Sequence, residues 1–143
     1  MNTTVDKNRN PMNLNDYQKK AMLTCMPSSE NFAYMMLNLV GEVGEFASKV
    51  AKQIRKGNIS IGCNLISSIK RGNDISFHSD ENKKVITNEL MLEAGDILWQ
   101  LSGLCTVMGW NLDDIAMLNL EKLKARKQAG TIDGNGDSIE RDK

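Results

Sequence analysis

Two pairs of acids, each spaced three residues apart, stand inside stretches that otherwise read as buried. They are Glu42 and Glu45 within Gly41-Glu-Val-Gly-Glu, and Glu93 and Asp96 within Glu93-Ala-Gly-Asp. On an α-helix residues i and i+3 share a face, so each pair can offer both of its carboxylates to one point. An ionised carboxylate is costly to take out of water unless it is paired or binds a metal, and four packed together repel one another. The two pairs are therefore expected to face each other across bound cations. Hard oxygen ligands and a single histidine indicate Mg²⁺ or Mn²⁺ rather than zinc. A di-iron bundle would want Glu-x-x-His on its helices, whereas His78 lies outside the helical pattern. Magnesium held by a few carboxylates and its own waters usually meets phosphate oxygens, so a polyphosphate is the expected ligand. Lys49 or Lys52, together with Lys122 and Arg126, would neutralise the remaining phosphate charge.

Helices must position these groups. Met36, Leu39, Val40, Val43, Phe46, Ala47, Val50 and Ile54 recur at steps of three and four, which predicts a long helix. Ser28 or Ser29 suits its N-cap, Glu30 its first turn, and Lys56-Gly57 its close. Counted from Glu42, the positions Asn38, Glu45, Lys49 and Lys52 fall within about 80° on one side, so acids and lysines line one stripe. A further helix, roughly Lys83 to Met108, is apolar on most of its circumference, which implies cover by a partner subunit. Its one polar stripe is Glu89, Glu93, Asp96 and Gln100, spaced i, i+4, i+7 and i+11.

Two shorter helices flank this pair. One runs from about Asp16 to Cys25, capped by Asn13 or Asn15 and ended by Pro27; the other runs from an Asn111 cap to about Ala129 and places Asn119, Lys122 and Arg126 on one face. The expected architecture is an all-α bundle of about four main helices over residues 13–130. Residues 58–82 form an irregular insert, in which Ile66-Ser-Ser-Ile-Lys and Asp74-Ile-Ser-Phe around Arg71-Gly-Asn read as a small hairpin. Its length is unusual for a connection inside a compact bundle, which suits a mobile segment or a lid. Residues 1–12 read as a flexible arm and residues 131–143 as a flexible glycine-rich tail.

At 143 residues the chain is long enough for one core but not two. Lys plus Arg and Asp plus Glu number 18 each, so no net field draws a nucleic acid polymer or an anionic membrane. Cys25, Cys63 and Cys105 contain no C-x-x-C pair and read as reduced thiols, Cys25 and Cys105 as small buried hydrophobes. Trp99 and Trp110 lie beside apolar runs and read as core packing. The polar N-terminus has no signal-peptide pattern, and the run Ile97 to Met108, broken by Gln100, is too short to cross a bilayer. A soluble, cytoplasmic protein is the expectation. Asp133-x-Asn135-x-Asp137 opens like a Ca²⁺ loop, but Ser138 stands where the loop needs glycine.

Several ordered segments resemble the MazG-type all-α nucleoside triphosphate pyrophosphohydrolases. They are Tyr17-Gln18, Leu39-Val-Gly-Glu-Val-Gly-Glu, Leu92-Glu-Ala-Gly-Asp-Ile-Leu-Trp, Gly109-Trp-Asn-Leu-Asp-Asp-Ile and Asn119-Leu-Glu-Lys-Leu-Lys-Ala-Arg. The resemblance implies hydrolysis of a nucleoside triphosphate to the monophosphate and pyrophosphate, with Mg²⁺ held by Glu42, Glu45, Glu93 and Asp96. It further implies that Asn119, Lys122 and Arg126 touch the nucleotide, and that the protein works as a homodimer or homotetramer. Two positions depart from the family pattern: Gly41 where many members carry another acid, and Gln100 where they carry an aromatic. Both bear on substrate preference. A specific dUTP or dCTP hydrolase is the rival within the same class, and a non-catalytic helical assembly or regulatory module is the rival outside it.

Overall fold

The computed structural model describes residues 10–61 and 75–131. The sequence readings for residues 1–9, for 62–74 with Cys63 and the Ile66–Lys70 arm, and for the tail beyond 131 lie outside the described residues. Helix α1, Leu14–Met22, begins where the Asn13 side chain accepts the Asp16 N–H at 2.7 Å. It stops short of Cys25, because the amides of Thr24 and Cys25 turn back onto Ala21 and Met22. A short 3₁₀ turn, Pro27–Ser29, follows and takes up both serines that were expected to cap the next helix. The cap of α2, Phe32–Arg55, is instead Asn31, whose Oδ1 accepts the Tyr34 N–H at 2.9 Å. Glu30 thus precedes the helix. Gly57 ends it with φ +68, a left-handed conformation that suits glycine.

A two-stranded antiparallel hairpin joins the two long helices. Strand β1, Ile59–Ile61, pairs with β2, Ile75–Phe77, in the register Ile59 with Phe77 and Ile61 with Ile75. The second arm falls where the sequence placed it, but the first lies directly after Gly57. Ile59, only 2% exposed, is the residue that favours this pairing, since it is the strand position that packs inward. Helix α3, Asp80–Val107, starts three residues before its predicted start because Ser79 accepts the Asn82 N–H and two acids follow in the first turn.

The main packing contact is α2 against α3, with α1 laid on α3 and the last helix, α4 (Leu112–Gln128), packed on α1. This order is all-α with one small sheet. Met35 is fully buried where α2 meets α3, and a Cβ placed on Gly103 would come within 2.6 Å of its Cε. Glycine at 103 therefore sets how closely the two helices approach. Their apolar flanks face outward in the single chain: Leu37 is 74% exposed, Val40 64% and Met91 58%. Among the described residues no helix is long and apolar enough to cross a membrane.

The start of α4 differs from expectation. Asn111 makes no capping bond to the helix; its amide reaches the Asp114 carboxylate instead. The free N–H groups are met from α1, where Gln18 Oε1 accepts Leu112 N–H at 2.9 Å and Asn15 Oδ1 accepts Asp113 N–H at 3.1 Å. The Gln18 amide also donates to Thr106 Oγ1 and to the Trp110 carbonyl. Gln18 is thus a buried side chain that ties three helices together. Trp99 is half-buried, with its indole N–H on the Ala21 carbonyl and Thr24 Oγ1, whereas Trp110 is 47% exposed and not part of the core. Cys105 is buried as expected, but Cys25 only half-buried. Replacing Gln18 by Leu orphans the Leu112 N–H, and denaturant unfolding is expected to show a loss of about 2–3 kcal/mol with an unchanged m-value.

Candidate metal centre

Antiparallel packing of α2 on α3 brings the two acid stripes together. Glu42, Glu45 and Glu93 each present a carboxylate oxygen within 4.8 Å of the others. Glu93 comes from the middle of α3 and is 6% exposed, whereas Glu42 is half-buried and Glu45 exposed. The cluster is therefore a site with one buried wall and one open side. Asp96, one turn beyond Glu93, is exposed and stands at its rim, from where its charge helps to raise the pKa of both Glu42 and Tyr17.

The polar groups around the cluster form a ladder along the helix pair. Asn38 Nδ2 donates to Glu42 Oε1 at 3.3 Å, and Lys49 Nζ donates to Glu93 Oε1. One turn further, Gln53 Nε2 meets Glu89 Oε2 at 3.4 Å, Asn58 donates to Gln53 Oε1 at 2.7 Å, and Asn82 donates to Asn58 Oδ1. Asn58 N–H is bonded to the Gln53 carbonyl and its own carbonyl accepts the His78 N–H, so this rung also fixes the root of the hairpin. Sequence reading placed Asn38 on the right stripe and Glu89 on the right face. It missed Gln53, which stands 11 residues after Glu42 on the same helical stripe and could have been found from that spacing, and Asn58 and Asn82, for which helical spacing carries no signal because their rungs cross between elements.

Electrostatics point the same way as the geometry. Partial burial, then the charges of Glu45, Asp96 and Glu93, push the Glu42 carboxyl above the usual glutamate range. The hydrogen bond from Lys49 to Glu93 raises the lysine in turn. Glu93 Oε2 is buried and has no hydrogen-bond partner among the described residues, an expensive arrangement for a carboxylate. Three carboxylates, one with a buried oxygen left over, form a donor set that fits a hard divalent cation. Burial pushes the Cys25 and Cys105 thiols up, so neither is a ready nucleophile.

Comparison with known proteins bears on what such a site belongs to. The model of the MazG nucleotide pyrophosphohydrolase domain matches residues 30–131, from just before α2 to the end of α4. The chain belongs to the MazG family. It is also 32% identical over 111 residues to the Gene 37 protein of Mycobacterium phage L5, a match covering 78% of this chain and 79% of that protein. No solved structure matches. The remaining residues singled out in the sequence lie on α2 and α4 of this MazG domain. Lys52 is exposed on α2; Asn119 and Lys122 are exposed on α4, and Arg126 lies half-buried further along it. No described hydrogen bond or ion pair joins Asn119 or Lys122 to the carboxylates. Gln100 is 2% exposed, so the departure from the family pattern lies inside the helix packing and not on the surface. A cleft of about 370 Å³ between α1 and the α3–α4 turn is lined by Gln18, Met22 and Trp110 among others, and contains none of the acids.

A raised Glu42 means that the folded state holds this proton more tightly than the unfolded chain does. Its contribution to stability is full below the ordinary glutamate range and is lost as pH climbs through the raised value. In chelator, thermal melts from about pH 4 to about pH 7 should show Glu42→Gln losing less stability than the parent chain over that window, and melting above it at neutral pH.

Proposed function

We propose that this protein hydrolyses nucleoside or deoxynucleoside triphosphates to the monophosphate and pyrophosphate, using Mg²⁺ held by Glu42, Glu45, Glu93 and Asp96, with Mn²⁺ as a substitute. The observation that carries the proposal is the meeting of Glu42, Glu45 and the buried Glu93 within 4.8 Å in a MazG domain. A divalent cation in such a site polarises a phosphoryl oxygen and lowers the pKa of its water. Glu93, buried and held on one oxygen by Lys49, would be the most firmly placed of the residues that hold a cation. Glu45, exposed on the open side, is the carboxylate suited to take a proton from the attacking water. Lys49 and Lys52 lie on the same helix as the first acid pair and supply positive charge for the leaving pyrophosphate.

Asn119, Lys122 and Arg126 join this scheme as nucleotide contacts in a homodimer or homotetramer. The outward apolar residues Leu37, Val40, Val43 and Met91 support such an assembly, since a monomer rarely leaves a patch of this kind bare. In the cell the expected setting is the cytoplasm, with a small-molecule substrate and neither a nucleic acid polymer nor a membrane as partner.

A panel of nucleoside triphosphates, dUTP and dCTP included, followed by pyrophosphate release in Mg²⁺, tests the reading. Glu45→Gln is expected to lower the rate by about 10²- to 10⁴-fold. A Glu93→Gln protein that releases pyrophosphate at the native rate would sink the assignment. A non-catalytic module would give no release and no rise in melting temperature with Mg²⁺ and a non-hydrolysable nucleotide.

A further inference from the structure

The ammonium of Lys49 is bonded to the carboxylate that closes the three-acid cluster. The two partners are held differently. Glu93 has a side chain 8% exposed on the packed face of α3, whereas the Lys49 side chain is 41% exposed at the end of a flexible four-carbon stem. Glu93 must stay where it is; Lys49 is free to leave toward solvent. Glu93 Oε1 is taken by the lysine and Oε2 has no partner among the described residues, so a cation drawing both oxygens into its coordination would compete with Lys49 for the first. A doubly charged ion has the advantage over an ammonium for three converging carboxylates.

We propose that Lys49 is a resident counter-ion of this site, displaced from Glu93 when a divalent cation binds and thereby released toward the phosphates of a substrate. This rests on the metal-dependent reading above and adds an order to it. Without a cation the lysine neutralises Glu93 and is withheld from any anion. With a cation it is freed on the open side, where a polyphosphate would lie. The same residue thus links cation binding to anion binding, and by thermodynamic reciprocity each ligand then tightens the other.

Two measurements on the full-length chain test the displacement without using turnover. In calorimetric titrations with Mn²⁺ or Mg²⁺ alone, Lys49→Gln should bind the cation about fivefold more tightly than the parent, the size expected for a half-exposed ion pair that no longer competes. Lys49→Arg, which keeps the pair, should not. Repeating the titration at high salt separates competition at Glu93 from a diffuse field effect, which salt would erase. Amine acetylation followed by mass spectrometry reads the displacement in the unaltered protein: Lys49 should become more reactive on saturation with Mg²⁺, while Lys56 and Lys83 stay constant. Equal or weaker cation affinity in Lys49→Gln overturns the proposal, and so does unchanged Lys49 reactivity once the cation is bound. Failure of every form to bind a cation overturns it too. Pyrophosphate release in the substrate panel judges the hydrolase reading separately, because a hydrolase whose lysine never moves would still turn over.

Discussion

The arrangement of this molecule follows from one costly placement, a glutamate buried at the contact of two long helices with one oxygen unpaired. Packed helices normally meet along their apolar stripes. Here α2 and α3 meet at the buried Met35 and Gly103 and also along the stripes that carry Glu42, Lys49, Gln53, Glu89 and Glu93, while apolar residues such as Leu37, Val40 and Met91 are turned out. The polar contact holds because each rung of the ladder finds a partner across or along the helices, down to the Asn58 rung that roots the hairpin. The ladder does not close at Glu93 Oε2, which is buried without a partner among the described residues.

Much of this was legible in the sequence because it depends on helical period. The spacing of Glu42, Glu45, Glu93 and Asp96 marks two faces, and the long apolar patterns mark the helices that bear them. The family was legible from motif order, and the domain match over residues 30–131 bears it out. What escaped was set by single hydrogen bonds. Ser28 and Ser29 satisfy every compositional rule for an N-cap, yet the 3₁₀ turn begun by Pro27 carries the chain past them to Asn31. Asn111 likewise has the right chemistry to cap α4, but Gln18 and Asn15 of α1 reach its amides first. Competition between two good partners is decided in space, and a one-dimensional pattern has no access to it.

Tertiary capping of α4 also changes how that helix relates to the rest. Its first turn is held by α1, which in turn lies on α3. The position of this helix relative to the rest of the fold is thus set in part by hydrogen bonds from α1 to its first turn. The outward apolar residues of α2 and α3, Leu37, Val40 and Met91, are left uncovered by the single chain.

Gly41 lies beside Asn38, one turn before Glu45, and a Cβ there would meet nothing nearer than Asn38 Oδ1 at 3.9 Å. The backbone therefore does not require glycine, and in mid-helix glycine is a poor choice, by about 1 kcal/mol relative to alanine. Room for a Cβ exists without any shift of α2 or α3. Under the proposed metal-dependent function, an acid at this position would add a charge one residue from Glu42 while its Cβ met nothing nearer than Asn38.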